Sequence, residues 1–379
     1  MGKEQLNDVR EKINRIDEQM IALLHERQGL ADEVAKIKRE NNISLVDPAR
    51  ETEIVNKVAA LVPAEEKADA MIFQRMVMGL SKSRQRMRLF GRAEEYSFPA
   101  PQAAKTETPT VAFQGVRGAW AELAANRLFA DAVLTNMESW DDVFRAVSDG
   151  DADYGVLPIE NSQTGGIGEV YDLLRKYGCY IVGQTWVNIE HCLMGVPGTK
   201  LSDVREVFSH PEGFKQCRNF LRGKAWDLTG CRNTAVAAER VASENSSRYA
   251  AIGAERAAEL NGLSVLARDI VSDPSNRTRF ILVAALPEYD ASCDTVSVIF
   301  RTAHRSGALC DVLFPLLAEG INMTRLESRP TGEKGKYCFF CDIDGHIDDQ
   351  AVRSAFRQIG ACCDYLEILG CYRQDTPQR

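Results

Sequence analysis

Several absences narrow the role of this chain. None of its apolar runs approaches the ~20 residues that cross a bilayer, and no signal-peptide pattern opens it. A membrane or secreted protein is therefore not expected, and the expected location is cytoplasmic. A basic excess is missing too. The net charge is −8, which argues against a general nucleic-acid or anionic-membrane surface. Cysteine is absent up to residue 178, and the eleven that follow are odd in number and scattered through apolar segments. They read as reduced thiols rather than a disulfide framework. The five histidines include no H-x-x-x-H spacing, and His191 and His210 read as loop-packing or capping residues. Cys338-Phe-Phe-Cys341 has ligand spacing, but a strand would turn its two ends to opposite faces, and no second ligand pair accompanies it. No metal and no other cofactor is expected. What remains is ordinary for globular domains: 379 residues, 45% hydrophobic and 26% charged, enough for two or three cores.

Proline is also absent from Leu6 to about Asn41, where the single glycine is Gly29. Apolar residues recur at Leu6, Val9, Ile13, Ile16, Met20, Leu23, Leu30, Val34 and Ile37, in steps of three and four. That period predicts one amphipathic helix of roughly 50 Å, too long to stand alone without packing along a partner. The member missing from the series is Arg27. A cation there needs an anion, from either a side-chain carboxylate or an acidic ligand. The alternative is a coiled-coil arm with a polar residue that sets register. Further cations stand nearby: Arg10 beside the stripe and Lys38 three turns after Arg27. Asp47 reads as the N-cap of a second helix with Pro48 at its first position and Arg50 and Glu51 in its first turn. Ser81 and Gln85, four apart, share a face of a third helix. Such a set suits a small dianion.

Through Arg10-Glu-Lys-Ile13, Glu26-Arg27, Lys36-Ile-Lys38, Asp47-x-x-Arg50-Glu51 and Ser81-x-x-x-Gln85, residues 5–90 resemble the all-helical chorismate mutase domain, an intertwined dimer of three-helix chains. The resemblance implies that Arg10 reaches into the partner's site. Arg27 and Arg50 would grip two carboxylates, Lys38 and Gln85 would meet the ether oxygen, and Glu51 and Asp47 the hydroxyl side. Met76-Val-Met-Gly-Leu80 departs from the family, which often carries an acidic residue there.

Residues 92–109, rich in proline and alanine, read as a linker. Beyond it, strand-like runs at Thr110–Phe113, Tyr154–Pro158, Val207–Ser209 and Ala250–Ile252 alternate with helical ones at Ala119–Phe129, Trp140–Ser148, Gly213–Arg222 and Ala235–Ser243. That alternation predicts an α/β region with ligands at the carboxyl ends of strands. Phe113-Gln-Gly115, Gly155-Val-Leu-Pro-Ile-Glu-Asn-Ser162, Glu190-His191, Ser209-His-Pro with Gln216, and Asn276-Arg-Thr-Arg-Phe280 resemble prephenate dehydratase over residues 110–287. The family implies two α/β lobes around a cleft. Thr278 would be the key hydroxyl there, with Asn161, Ser162, Ser209 and Gln216 lining the site. Two departures stand out: Ala119-Trp120-Ala121 replaces a hydroxyl-bearing triplet, and Glu212 replaces a usual Gln.

Residues 293–372 read strand–helix–strand–strand–helix–strand, a ferredoxin-like α+β unit. Gly307-Ala308-Leu309-Cys310 and Glu327-Ser328-Arg-Pro330 resemble the phenylalanine-binding motifs of an ACT domain, with Asn322 joining them and Cys310 standing where Val is common. The whole is similar to bifunctional chorismate mutase–prephenate dehydratases: a helical domain at 1–91, a linker, a dehydratase domain and a sensor. The expected partners are chorismate and prephenate as substrates, phenylalanine as effector, and a second copy in a homodimer or larger homo-oligomer, with no nucleic acid and no membrane. Two alternatives stay open. One is fusion to an arogenate dehydratase, which Ala112-Phe-Gln-Gly-Val116 also resembles. The other is a non-catalytic amino-acid-sensing protein.

Overall fold

A computed structural model describes residues 2–43, 47–89, 98–102, 108–331 and 336–375. Part of the expected linker lies outside the described residues. Within it, Gln102 donates to the Pro287 carbonyl at 2.9 Å, and the Phe98 ring packs against Tyr180 and Tyr289 at 5.7 and 5.4 Å.

The first region is helical: α1 (Gly2–Glu40), α2 (Pro48–Ala59) and α3 (Lys67–Leu89). Asp47 caps α2, accepting from the Arg50 N–H at 3.0 Å. The face of α1 buried within the chain is small and polar: Gln28, Ala31 and Ala35 meet α3, where Val77, Met78, Ser81 and Gln85 are buried. The nine-residue apolar stripe is not that face. Its members are 42–64% exposed.

The middle region contains β1 (Thr110–Gln114), α4 (Trp120–Leu128), β2 (Val133–Met137), α5 (Trp140–Asp149), β3 (Tyr154–Asn161), β4 (Gly165–Gly166), α6 (Gly168–Tyr177) and β5 (Tyr180–Asn188). It continues with β6 (His191–Gly195), β7 (Glu206–Ser209), α7 (Pro211–Gln216), α8 (Arg218–Leu221), β8 (Asp227–Gly230), α9 (Thr234–Glu244), β9 (Tyr249–Ala254), α10 (Glu255–Leu260), β10 (Ser264–Ala267) and β11 (Arg277–Ala284). Two sheets form. One runs β2-β1-β3-β11-β5 with β4 on β3, the other β10-β6-β9-β7-β8. The chain leaves the first lobe after β5 and returns to it at β11, so two crossings join the lobes. The expected helix Gly213–Arg222 is broken: α7 ends at Gln216, and Cys217 has φ −102° and ψ 16° before α8.

The last region holds β12 (Thr295–Arg301), α11 (Ala308–Ala318), β13 (Met323–Pro330), β14 (Tyr337–Asp344), α12 (Gln350–Gly360) and β15 (Tyr365–Tyr372). Its antiparallel sheet is ordered β13-β14-β12-β15, the ferredoxin-like topology. One face packs on α11 and α12 through Val298, Cys341, Val312 and Phe356. The other packs on the first lobe, where Ile299, Cys338, Phe340 and Tyr372 join a core with Tyr171, Leu174 and Ile181. Cys338 and Cys341 therefore serve opposite faces of one strand. No described helix is long and apolar enough to cross a membrane.

Candidate active sites

In the helical region the structure gathers part of the expected set. The Arg27 guanidinium donates to the Ser81 hydroxyl, which itself donates to the Val77 carbonyl at 3.0 Å. Arg27 is thus half-buried against α3 rather than sealed in the apolar stripe. A straight helix drifts off a seven-residue repeat by about 20° per heptad, so by residue 27 the stripe and the intrachain face have separated. Burial lowers the Arg27 pKa from its usual value. Gln85 is buried one turn from Ser81 on α3. Glu51 is partly buried and accepts from Lys82 Nζ at 3.2 Å, a cation that sequence reasoning passed over. Lys38 is partly buried on α1. Arg84 holds Asp32 with two nitrogens at 2.8–3.1 Å, fixing α3 against α1.

Two arginines stand apart. Arg50 is exposed and pairs with Glu53 at 2.7 Å. Arg10 is exposed, 17 residues before Arg27, which is about 26 Å along a helix. Within one chain, neither joins the Arg27–Ser81 group.

In the middle region a cleft of about 520 Å³ separates the lobes. The first lobe supplies Ala119, Trp120, Ala121, Asn161, Thr278 and Phe280, and the second His191, His210, Glu212, Gln216 and Thr234. Thr278 and Asn161 are direct register partners on β11 and β3. Asn161 Nδ2 donates to Thr278 Oγ1 at 3.0 Å and to Asn276 Oδ1 at 2.9 Å. Asn161 Oδ1 accepts from the Gln163 and Thr164 N–H groups at 3.0 and 3.2 Å. The amide is fixed at both ends. Thr278 accepts its hydrogen bond, so its own proton is the one it has to give. The bulge in β3 between Pro158 and Glu160 lets Pro158 and Asn161, three apart, both face the cleft.

Gln216, at the end of α7, accepts at Oε1 from His191 Nε2 at 2.8 Å. His191 is 2% exposed, its ring 5.6 Å from Trp120, and burial lowers its pKa. It is a neutral wall residue. His210 caps α7, its Nδ1 accepting from the Glu212 N–H at 3.2 Å. The two serines expected in the lining lie elsewhere. Ser209 is 0% exposed and donates to the Ile252 carbonyl at 2.9 Å, because Gly213 packs over it. Ser162 Oγ accepts from the Arg277 N–H at 3.1 Å, tying the end of β3 to the start of β11. Sequence reasoning missed Arg232-Asn233-Thr234, which lines the cleft where α9 begins with Asn233 as its cap. The signal was a capping asparagine before an alanine-rich helix, and its N–H groups suit a carboxylate. Both departures, Ala119-Trp120-Ala121 and Glu212, sit in the cleft wall.

In the last region Gly307 stands at φ 76°, the left-handed turn before α11. Ala308 is buried and Leu309 partly so. Asn322 donates to Asp344 at 2.8 Å. Glu327 turns toward the dehydratase lobes, where a Cβ on Gly166 would lie 2.9 Å from its carboxyl carbon, while Ser328 is exposed. Among the described residues, no group of three His, Cys, Asp or Glu could hold a metal.

The chain matches known families region by region. Residues 9–86 match the type II chorismate mutase model, 111–288 the prephenate dehydratase model and 296–361 the ACT domain model. These three in this order define a fused isomerase and lyase with a small-molecule sensor fold. The bifunctional chorismate mutase/prephenate dehydratase of Escherichia coli strain K12 is 33% identical over 97% of this chain and 96% of its own. Arogenate dehydratase/prephenate dehydratase 2 of Arabidopsis thaliana is 34% identical over 70% of this chain and 73% of its own. A prephenate dehydratase from Arthrobacter aurescens, solved with L-Phe, is 31% identical with TM-score 0.65, covering 70% of this chain and 90% of that one. The chain belongs to the bifunctional chorismate mutase/prephenate dehydratase family.

Proposed function

We propose that the dehydratase reaction runs on the Thr278–Asn161 pair and the mutase reaction on the Arg27 group completed by a second copy. The observation that carries the first reading is the hydrogen bond from Asn161 to Thr278, which leaves the threonine proton for a leaving group. Prephenate carries a ring hydroxyl and a ring carboxylate on opposite carbons. Loss of both as water and carbon dioxide aromatises the ring and supplies the driving force. An isolated threonine is a weak acid, so Thr278 orients and stabilises the departing hydroxyl more than it delivers a free proton. The N-terminus of α9 and Arg232 offer donors for a carboxylate.

For the mutase, a guanidinium fork binds a carboxylate bidentately, which suits Arg27 and Arg50. The breaking C–O bond puts negative charge on the ether oxygen, where Lys38 and Gln85 would donate. Glu51 and Asp47 would take the hydroxyl side. The exposed stripe of α1 supports a homodimer, since apolar surface of that extent is stabilised by a partner. Arg10 would then enter the partner's site.

Phenylalanine would act through the third region, at Gly307-Ala308-Leu309 and at Asn322, Glu327 and Ser328. The Phe-bound relative and the left-handed Gly307 turn support this. Domain limits of 1–91, 110–287 and 293–372 follow from the same division.

The test is Thr278→Val, which keeps shape and removes the hydroxyl. Fed with chorismate, the variant should accumulate prephenate and form phenylpyruvate at least about tenfold more slowly than the parent chain, while mutase turnover is unchanged. Parental phenylpyruvate formation would move the leaving-group role elsewhere. Prephenate and arogenate compared side by side would assign the preferred acid.

A further inference from the structure

Thr278 and Asn161 are followed and preceded, respectively, by a charged residue. Arg279 and Glu160 are also register partners, one step along the same two strands. Adjacent strand residues face opposite ways, and the register is regular across these two pairs because the bulge in β3 lies beyond Glu160, between it and Pro158. Thr278 and Asn161 face the cleft. Arg279 and Glu160 face the ferredoxin-like sheet.

Three strands of that sheet reach the charged pair directly, and the fourth holds the residues that do. Asp342 on β14 takes Arg279 Nη1 at 2.7 Å. The Tyr372 hydroxyl on β15 accepts from Arg279 Nη2 at 2.9 Å. Ser297 on β12 joins Asp342 at 2.5 Å and Tyr372 at 2.6 Å. Arg325 on β13 pairs with Glu160 at 3.3 Å, and Arg279 lies 3.7 Å from the same carboxylate oxygen. The side chains of Arg279 and Asp342 are each 9% exposed, and Tyr372 is 0% exposed. Arg279 and Asp342 thus form a buried ion pair behind the reacting groups, with Arg325 and the partly exposed Glu160 at its edge. Burial opposes the Arg279 charge, but Tyr372 and Asp342 more than compensate and raise its pKa.

A buried ion pair tolerates little change in geometry, because losing one partner strands the other without water. Any shear of the sheet therefore moves Arg279 or Glu160, and with them the backbone of Thr278 and Asn161. β13 carries the input as well: Arg325 lies 4.0 Å from Glu327, and both crowd Gly166, which immediately precedes the Ile167 wall of the cleft.

We propose that Arg279 and Glu160 are positioning residues through which the four-stranded sheet sets the spacing of Thr278 and Asn161, coupling an amino acid bound near Glu327 to dehydratase turnover. This rests on the dehydratase and effector readings above.

The experiment uses the full-length chain with Tyr372→Phe, Asp342→Asn and Arg279→Lys, and Thr278→Val as control. Mutase turnover in the same preparations and the thermal midpoint report folding. Tyr372→Phe removes one oxygen and is the variant expected to fold without difficulty. Dehydratase kcat should fall about tenfold in Asp342→Asn and about threefold in Tyr372→Phe, with KM within about twofold and mutase unchanged. Arg279→Lys keeps the charge but not the fork and should fall at least as far as Asp342→Asn. Saturating phenylalanine should inhibit these variants less completely than the parent. Parental kcat and full inhibition in Tyr372→Phe and Asp342→Asn, with Thr278→Val inactive, would overturn the coupling and leave the site assignment standing. Loss seen only in KM would also overturn it. Full activity in Thr278→Val would instead overturn the site reading itself.

Discussion

The helical region and the α/β region solve the same problem, holding a small dianion, in opposite ways. In the α/β region the residues that face the cleft are brought together by one chain. β3 and β11 set Asn161 against Thr278, and the second lobe closes the other wall with Gln216 and His191. Large apolar residues lie beneath in continuous cores, Phe113, Val156 and Phe280 among them. In the helical region the large apolar residues of α1 face outward, and the intrachain contacts are made by Gln28, Ala31 and Ala35. Arg10 is stranded about 26 Å from Arg27. The comparison teaches that burial and site assembly go together. Where one chain buries its own apolar surface, it also completes its own site. Where it does not, the proposed dimer would supply both from a second copy.

Arg27→Ala sharpens this contrast with the largest expected effect. Removing a bidentate carboxylate contact from a partly dry site should lower mutase turnover about 10²–10³-fold while dehydratase turnover stays near parental. Steady-state assays of both reactions on one preparation check it, and equal loss of both would break the separation.

Glu327→Ala probes the third region against the cleft. Phenylalanine affinity, read by calorimetry, should fall about tenfold, and uninhibited dehydratase turnover should stay within about twofold. Because a ligand shifts an equilibrium only by its differential affinity, inhibition should weaken in proportion.

His191 gives the smallest effect and a sign. Its folded pKa is lowered, first by burial, while the unfolded chain protonates it near the ordinary imidazole value of 6.5. The folded state therefore binds fewer protons, and its contribution to stability is present above about pH 6.5 and lost as the pH falls below it. The denaturant midpoint of the parent should drop more steeply on acidification than that of His191→Gln.

Much of the architecture was legible in the sequence. The unbroken period of α1 and the strand–helix order of residues 295–369 follow from local pattern, and Thr295–Arg301 and Ala308–Ala318 match the observed elements. The seat of Arg27 was not legible, because a helical period shows that a stripe exists but not whether it meets the same chain or another. Ser209 illustrates a different blindness. Its place at the end of β7 beside His-Pro is visible, but its hydroxyl turns to Ile252, 43 residues away. Arg279 is the sharpest case. It reads as one of two arginines around Thr278, and only the fold brings Asp342 and Tyr372 behind it.

The most direct test of the contrast mixes two inactive chains. Arg10→Ala and Arg27→Ala, each refolded alone, should lack mutase activity. Refolded together in equal amounts, they should form mixed dimers in which one of the two sites keeps both arginines, and about a quarter of parental mutase activity should return, since half the dimers are mixed. Dehydratase activity should be parental in every sample. Mixed chains that dimerise yet recover no mutase activity would contradict the account, because each helical site would then be built within one chain, like the cleft.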